Sequence, residues 1–121
     1  MKGLYLDRMK NWYKNLETRY KTFPEHVQVL NMVSDLNKAK SLWDKNRTSA
    51  RNHLYRALIL LDYMKDDPKW RNKLRELLRV RETVGSILVL SQPYGTLDQV
   101  CDAALCLSAK AYRLLKVPEE T

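Results

Sequence analysis

The sequence predicts an all-α protein: a single compact bundle of four to five antiparallel helices over residues 1–121. Three observations carry this. Only three glycines and four prolines interrupt the chain. Apolar residues recur at steps of three and four along most of it, and alternating apolar–polar runs are almost absent. A chain with 45% hydrophobic and 30% charged residues is globular rather than disordered, and its length suits one domain.

The elements follow in order. A first helix is expected over residues 4–21, with Leu6, Met9, Tyr13, Leu16 and Tyr20 inward, Tyr5 and Trp12 beside them, and Lys10, Lys14 and Lys21 in solvent. Phe23-Pro24 ends it, because proline disfavours helical geometry in the residue before it. Thr22 and Glu25 resemble a capping box for a second helix over 24–45. There Val29, Val33, Leu36 and Trp43 mark one face, with Lys40 snorkelling at its edge. Residues 44–49 form a polar break. Either Thr48 or Ser49 caps a third helix, or one long helix runs through with a kink near Asn46.

Ala50, Leu54, Ala57, Leu61 and Met64 form the seam of the third helix, and residues 57–61 are apolar on every side. In Asp66-Asp67-Pro68 the second aspartate is the expected N-cap and the proline the first helical residue. Trp70, Leu74, Leu77, Val84 and Leu88 then face the core. So short a connection folds the third and fourth helices antiparallel. Gln92-Pro93-Tyr94-Gly95 is a turn. Thr96 with Gln99 is a capping box opening a last helix, whose seam is Val100, Ala104, Leu107, Ala111 and Leu114. Pro118 stops it.

The net charge is +8, and it is clustered. Residues 38–56 hold Lys38, Lys40, Lys45, Arg47, Arg51 and Arg56 against one carboxylate, Asp44. Residues 69–81 hold Lys69, Arg71, Lys73, Arg75, Arg79 and Arg81 against Glu76 alone. Folding the hairpin with residue 64 near 68 puts 51 near 82 and 56 near 77. The two clusters would then merge, with Arg51–Glu82 and Arg56–Glu76 as internal pairs and most cations left over. Arg71, Arg75 and Arg79 sit four apart, a like-charge spacing that costs a few tenths of a kcal/mol per pair. An anionic partner is the expectation: RNA or single-stranded DNA first, an acidic protein as the alternative. Trp43 and Trp70 border the clusters and could stack on bases, as could Tyr55 inside the first; at helical spacing they also read as core.

Chemistry is sparse. Phosphate loops, nucleophile elbows, Cys-x-x-Cys pairs and zinc-helix motifs are all missing, so no catalytic residue, metal or cofactor is expected. Asp66-Asp67 reads as a capping feature. Cys101 and Cys106 lie five apart on one expected helix, about 140° around it, which argues against an internal disulfide, and they read as small core residues in a reducing compartment. The chain lacks an apolar leader and a membrane-length run, so the cytoplasm is the expected compartment.

Two resemblances add to this. Arg47 and His53 resemble the Arg-x(4–6)-His element of the HEPN superfamily of helical ribonucleases and nucleotide-binding proteins, which implies an RNA-facing pair; Arg19 and His26 carry the same spacing. In size, helix layout and charge the whole chain resembles the small helical subunits of multi-subunit CRISPR effector complexes. It is similar too to the small basic bundle accompanying the reverse transcriptase of diversity-generating retroelements. The CRISPR resemblance implies a non-catalytic subunit that holds a strand by sequence-neutral phosphate contacts and works beside other subunits or copies of itself. With about five phosphates held, the single-strand salt slope would be about −3.5.

Overall fold

The computed structural model describes residues 14–116. Within them the chain is all-α and has no strand. The elements are α1 (Lys14–Lys21), α2 (Glu25–Leu42), α3 (Arg47–Lys65), a 3-10 segment (Pro68–Lys73), α4 (Leu74–Val89), α5 (Leu97–Leu105) and α6 (Ala109–Lys116). The inward positions expected at Leu6, Met9 and Tyr13, with Tyr5, Lys10 and Trp12, lie outside the described residues.

α3 is the central helix. It packs against α1, α2, α4 and the 3-10 segment. Its expected seam is the core: Ala50, Leu54, Ala57, Leu61 and Met64 are all fully buried. Residues 57–61 are buried on every side, as a helix enclosed by neighbours requires. α5 and α6 cover the far side of α2.

Six helices form among the described residues, not four or five, because the expected last helix is two. It breaks at residues 106–108, where the Ser108 hydroxyl accepts from the Ala111 N–H at 3.1 Å and so caps α6. Leu107 stays buried inside that turn, but Leu114 is 59% exposed rather than part of the seam. Other starts also shift. Asn46, not Thr48 or Ser49, caps α3, its Oδ1 accepting from the Ser49 N–H at 3.1 Å, so α2 and α3 are two helices rather than one kinked helix. Thr22 donates back to the Arg19 carbonyl at 2.6 Å, and α2 starts after Pro24 without a side-chain cap. The Thr96–Gln99 capping box forms in full. Cys101 is buried, which pushes its thiol pKa up, while Cys106 is exposed at the end of α5 rather than in the core.

One buried polar cluster ties α1, α2 and the 3-10 segment together. The fully buried Gln28 donates from Nε2 to the Tyr20 carbonyl at 2.9 Å and to Asp67 Oδ2 at 3.2 Å. Its Oε1 accepts from the Trp70 indole at 2.5 Å, and its carbonyl accepts from the Tyr20 hydroxyl. Asp67 is the expected cap, accepting from the Lys69 N–H at 3.1 Å. Burial works against its charge. Hydrogen bonds from Lys69 and Gln28 outweigh that and hold its pKa below the usual carboxylate range. A depressed carboxylate contributes stability that is present above its unfolded pKa and lost as pH falls through the folded one. Unfolding free energy should therefore fall as pH drops below about 5. An Asp67→Asn variant should show a shallower fall in urea titrations between pH 3 and 7; an unchanged slope would remove this role.

Candidate nucleic-acid interface

The register of α3 against α4 decides where the cations go. Arg51 Nη1 donates to the Leu88 carbonyl at 3.1 Å, and Arg81 Nε reaches Asp62 Oδ1 at 2.5 Å. Residue 51 thus lies near 88, not 82. The six-residue 3-10 segment is the cause: it lengthens the connection before α4 begins and slides that helix along α3. The expected pairs Arg51–Glu82 and Arg56–Glu76 do not form. Nor does the merged cationic surface. Arg47 and Arg51 sit at the Leu88 end of the hairpin, and Arg81 sits beside Asp62, eleven residues or about 16 Å further along α3.

Half of the twelve expected contacts are engaged internally. Arg81 is bound to Asp62, whose side chain is only 8% exposed, and that hydrogen bond raises the Arg81 pKa. The Lys69 ammonium donates to the carbonyls of Lys21 and Phe23, both at 2.8 Å, and lies 3.1 Å from Asp67. Lys73 donates to the Leu107 carbonyl at 2.8 Å, just past the end of α5, where carbonyls lack helical partners. Lys40, expected to snorkel, meets Asp98 on α5 at 3.1 Å, which raises its pKa. Arg47 and Arg51 complete the group; Arg47 Nη2 lies 3.9 Å from Asp44.

Lys38, Lys45, Arg56, Arg71, Arg75 and Arg79 are exposed and make no ion pair or side-chain hydrogen bond among the described residues. The last three share one stretch. Arg75 and Arg79 are a true (i, i+4) pair on α4, whereas Arg71 belongs to the 3-10 segment and is offset from their line. Their face is opposite the buried Leu77, Val80 and Val84.

The aromatic positions divide. Trp70 is 1% exposed with its indole N–H on Gln28, so it is core and offers no ring to a base. Tyr55 is buried as well. Trp43 is half-buried, and the Arg47 guanidinium lies 4.0 Å over its ring while Arg47 Nε donates to its carbonyl at 2.7 Å. His53 is engaged elsewhere: its Nδ1 lies 3.0 Å from Asp35 Oδ1. Six residues on an α-helix turn through about 240°, which is why Arg47 and His53 point to different neighbours.

The sequence reading passed over a groove of about 360 Å³ beside Arg79, between α4 and α5. Tyr94 stands at its edge, 68% exposed, with its backbone N–H fixed to the Ser86 hydroxyl at 3.0 Å. Gly95 lets the turn lie close: a Cβ there would be 3.2 Å from both Thr83 and Gln99. The available signal was an aromatic residue in a turn, off every helical face. No helix among the described residues is long and apolar enough to cross a membrane, and none of them cluster as metal ligands. No family model, curated protein or solved structure matches this chain.

Proposed function

We propose that this chain is a non-catalytic nucleic-acid-binding subunit of a cytoplasmic ribonucleoprotein assembly, holding RNA or single-stranded DNA by sequence-neutral phosphate contacts. One observation supports it above the rest. Arg71, Arg75 and Arg79 remain exposed and unpaired among the described residues, although Glu76 and Glu82 lie on the helix that carries Arg75 and Arg79. Lys40, Lys69 and Arg81 are each matched to a carboxylate, and Lys38, Lys45 and Arg56, also left over among the described residues, do not fall together in one stretch as Arg71, Arg75 and Arg79 do. Like charges left together on an exposed face are repulsive until phosphates screen them.

The interface is smaller than the twelve-residue surface first expected. Three phosphates held by Arg71 on the 3-10 segment and Arg75 and Arg79 on α4 give a single-strand salt slope of about −2, or about twentyfold weaker binding for a fourfold rise in salt. Changing Arg71, Arg75 and Arg79 together to Glu should abolish binding of a fluorescein-labelled 12-mer by anisotropy and leave the helical circular dichroism intact. Unchanged affinity in that variant ends this reading. The small helical subunits of CRISPR effector complexes are the assembly we propose to test first, by co-purification of native partners.

A protein–protein adaptor with an acidic partner is the second reading. It rests on α6, where Tyr112, Leu114 and Leu115 are 41–59% exposed beside Arg113 and Lys116. Nucleic acid carried through purification, seen as a raised 260/280 nm ratio and lost at high salt, supports the first reading over this one.

A further inference from the structure

We propose that the groove between α4 and α5 takes an unstacked base of a single strand, with Tyr94 as its stacking platform and Arg79 holding the adjoining phosphate. The proposal rests on the nucleic-acid reading and specifies it further: one strand, with at least one base turned out of its stack, rather than a duplex.

The walls have the matching chemistry. Arg79 and Tyr94 line the same groove, so a cation without a partner among the described residues and an exposed ring face one space. A volume of about 360 Å³ is in the range of small-ligand sites. Ala103 supplies exposed apolar surface, and the buried Val80 and Val100 complete the apolar lining. Gln99 also lines the groove. Its Oε1 is committed to the Thr96 N–H at 2.9 Å, which fixes the side chain and leaves its amide N–H groups to donate to a base edge. Glu76 is the one carboxylate lining the groove among the described residues. It repels a phosphate placed deep inside, and so favours the neutral base inward and the phosphate outward at Arg79.

The platform is built rather than incidental. The Tyr94 backbone is tied to Ser86 on α4, and Gly95 seats the turn against Thr83 and Gln99. The ring is thereby presented to solvent on a fixed backbone. A base on such a ring stacks whatever its identity, which agrees with a sequence-neutral phosphate grip.

Cys106 provides a reporter independent of affinity. It lines the groove and is exposed, whereas Cys101 is buried. The experiment uses the full chain with a 12-nucleotide oligo-uridine or oligo-thymidine, a 12-base-pair duplex as control, and Tyr94→Ala and Tyr94→Phe variants. The expected result is about tenfold weaker single-strand binding for Tyr94→Ala, near-normal binding for Tyr94→Phe and an unchanged salt slope, since stacking and not charge is lost. Duplex affinity should not respond to Tyr94→Ala. Maleimide alkylation of Cys106 should slow when the single strand is saturating and not when the duplex is. Equal single-strand affinity in Tyr94→Ala, or Cys106 alkylation as fast with the single strand as without it, overturns the groove. Loss of binding in the Arg71, Arg75 and Arg79 variant together with an unaffected Tyr94→Ala removes the groove alone. No binding by the unaltered chain removes both this inference and the function beneath it.

Discussion

Replacing Gln28 with leucine should destabilise the fold by about 3 kcal/mol and lower the melting temperature by about 10 °C. The two side chains are similar in size, so the loss is one of hydrogen bonds rather than volume. Leucine would leave the Trp70 indole N–H with no acceptor, the Tyr20 carbonyl without its Nε2 donor, and Asp67 with one donor fewer. A buried polar group stranded in this way costs about 1–3 kcal/mol, and a gain in apolar burial offsets only part of it. A Trp70→Phe variant should lose a comparable amount, about 2–3 kcal/mol, since the Gln28 Oε1 acceptor is stranded and the smaller ring leaves a cavity at a fully buried site. Urea unfolding followed at 222 nm measures both. A Gln28→Leu effect below about 1 kcal/mol would mean that the cluster contributes little beyond packing.

A second large effect is expected at Arg81, which the sequence placed among the nucleic-acid contacts. Arg81→Met should lose about 3 kcal/mol near neutral pH, because Asp62 would then keep a charge in a site where its side chain is 8% exposed. This is the low end for a broken buried pair. Arg81 itself is 36% exposed, and Lys65, 3.9 Å from Asp62, can take over part of the pairing. Combining Asp62→Leu with Arg81→Met should recover most of the loss, since two apolar side chains leave no stranded charge. If the single variant loses no more than the ~0–1 kcal/mol of a surface pair, the bridge is not structural. Any drop in nucleic-acid affinity for Arg81→Met must be read against this instability; Arg75 and Arg79, which lack such partners among the described residues, are the cleaner probes.

The fold was largely legible and the interface only in part. Ala50, Leu54, Ala57, Leu61 and Met64 announced the core because a helix repeats its geometry every turn. Asp67 and the Thr96–Gln99 box announced helix starts because a cap needs a specific side chain at a specific place. The break at Ser108 was hidden, since Val100, Ala104, Leu107 and Ala111 keep a helical step straight across it. The hairpin register was hidden too. Pro68 correctly signalled a start, but nothing in composition separates a 3-10 turn from the first turn of an α-helix.

What the sequence determined by itself was therefore the all-α class, the order of the main helices, the buried seam of α3 and the surplus of positive charge. These depend on local periodicity, on capping and on counting. Tertiary structure alone decided which cations are spoken for and which are left facing water. Arg81 meets Asp62, Lys69 meets Asp67 and Lys40 meets Asp98, while Arg75 and Arg79 meet no carboxylate among the described residues. A charge's partner is set by how far one helix slides along another, and a six-residue change in the connection moves that partner by more than the reach of a hydrogen bond.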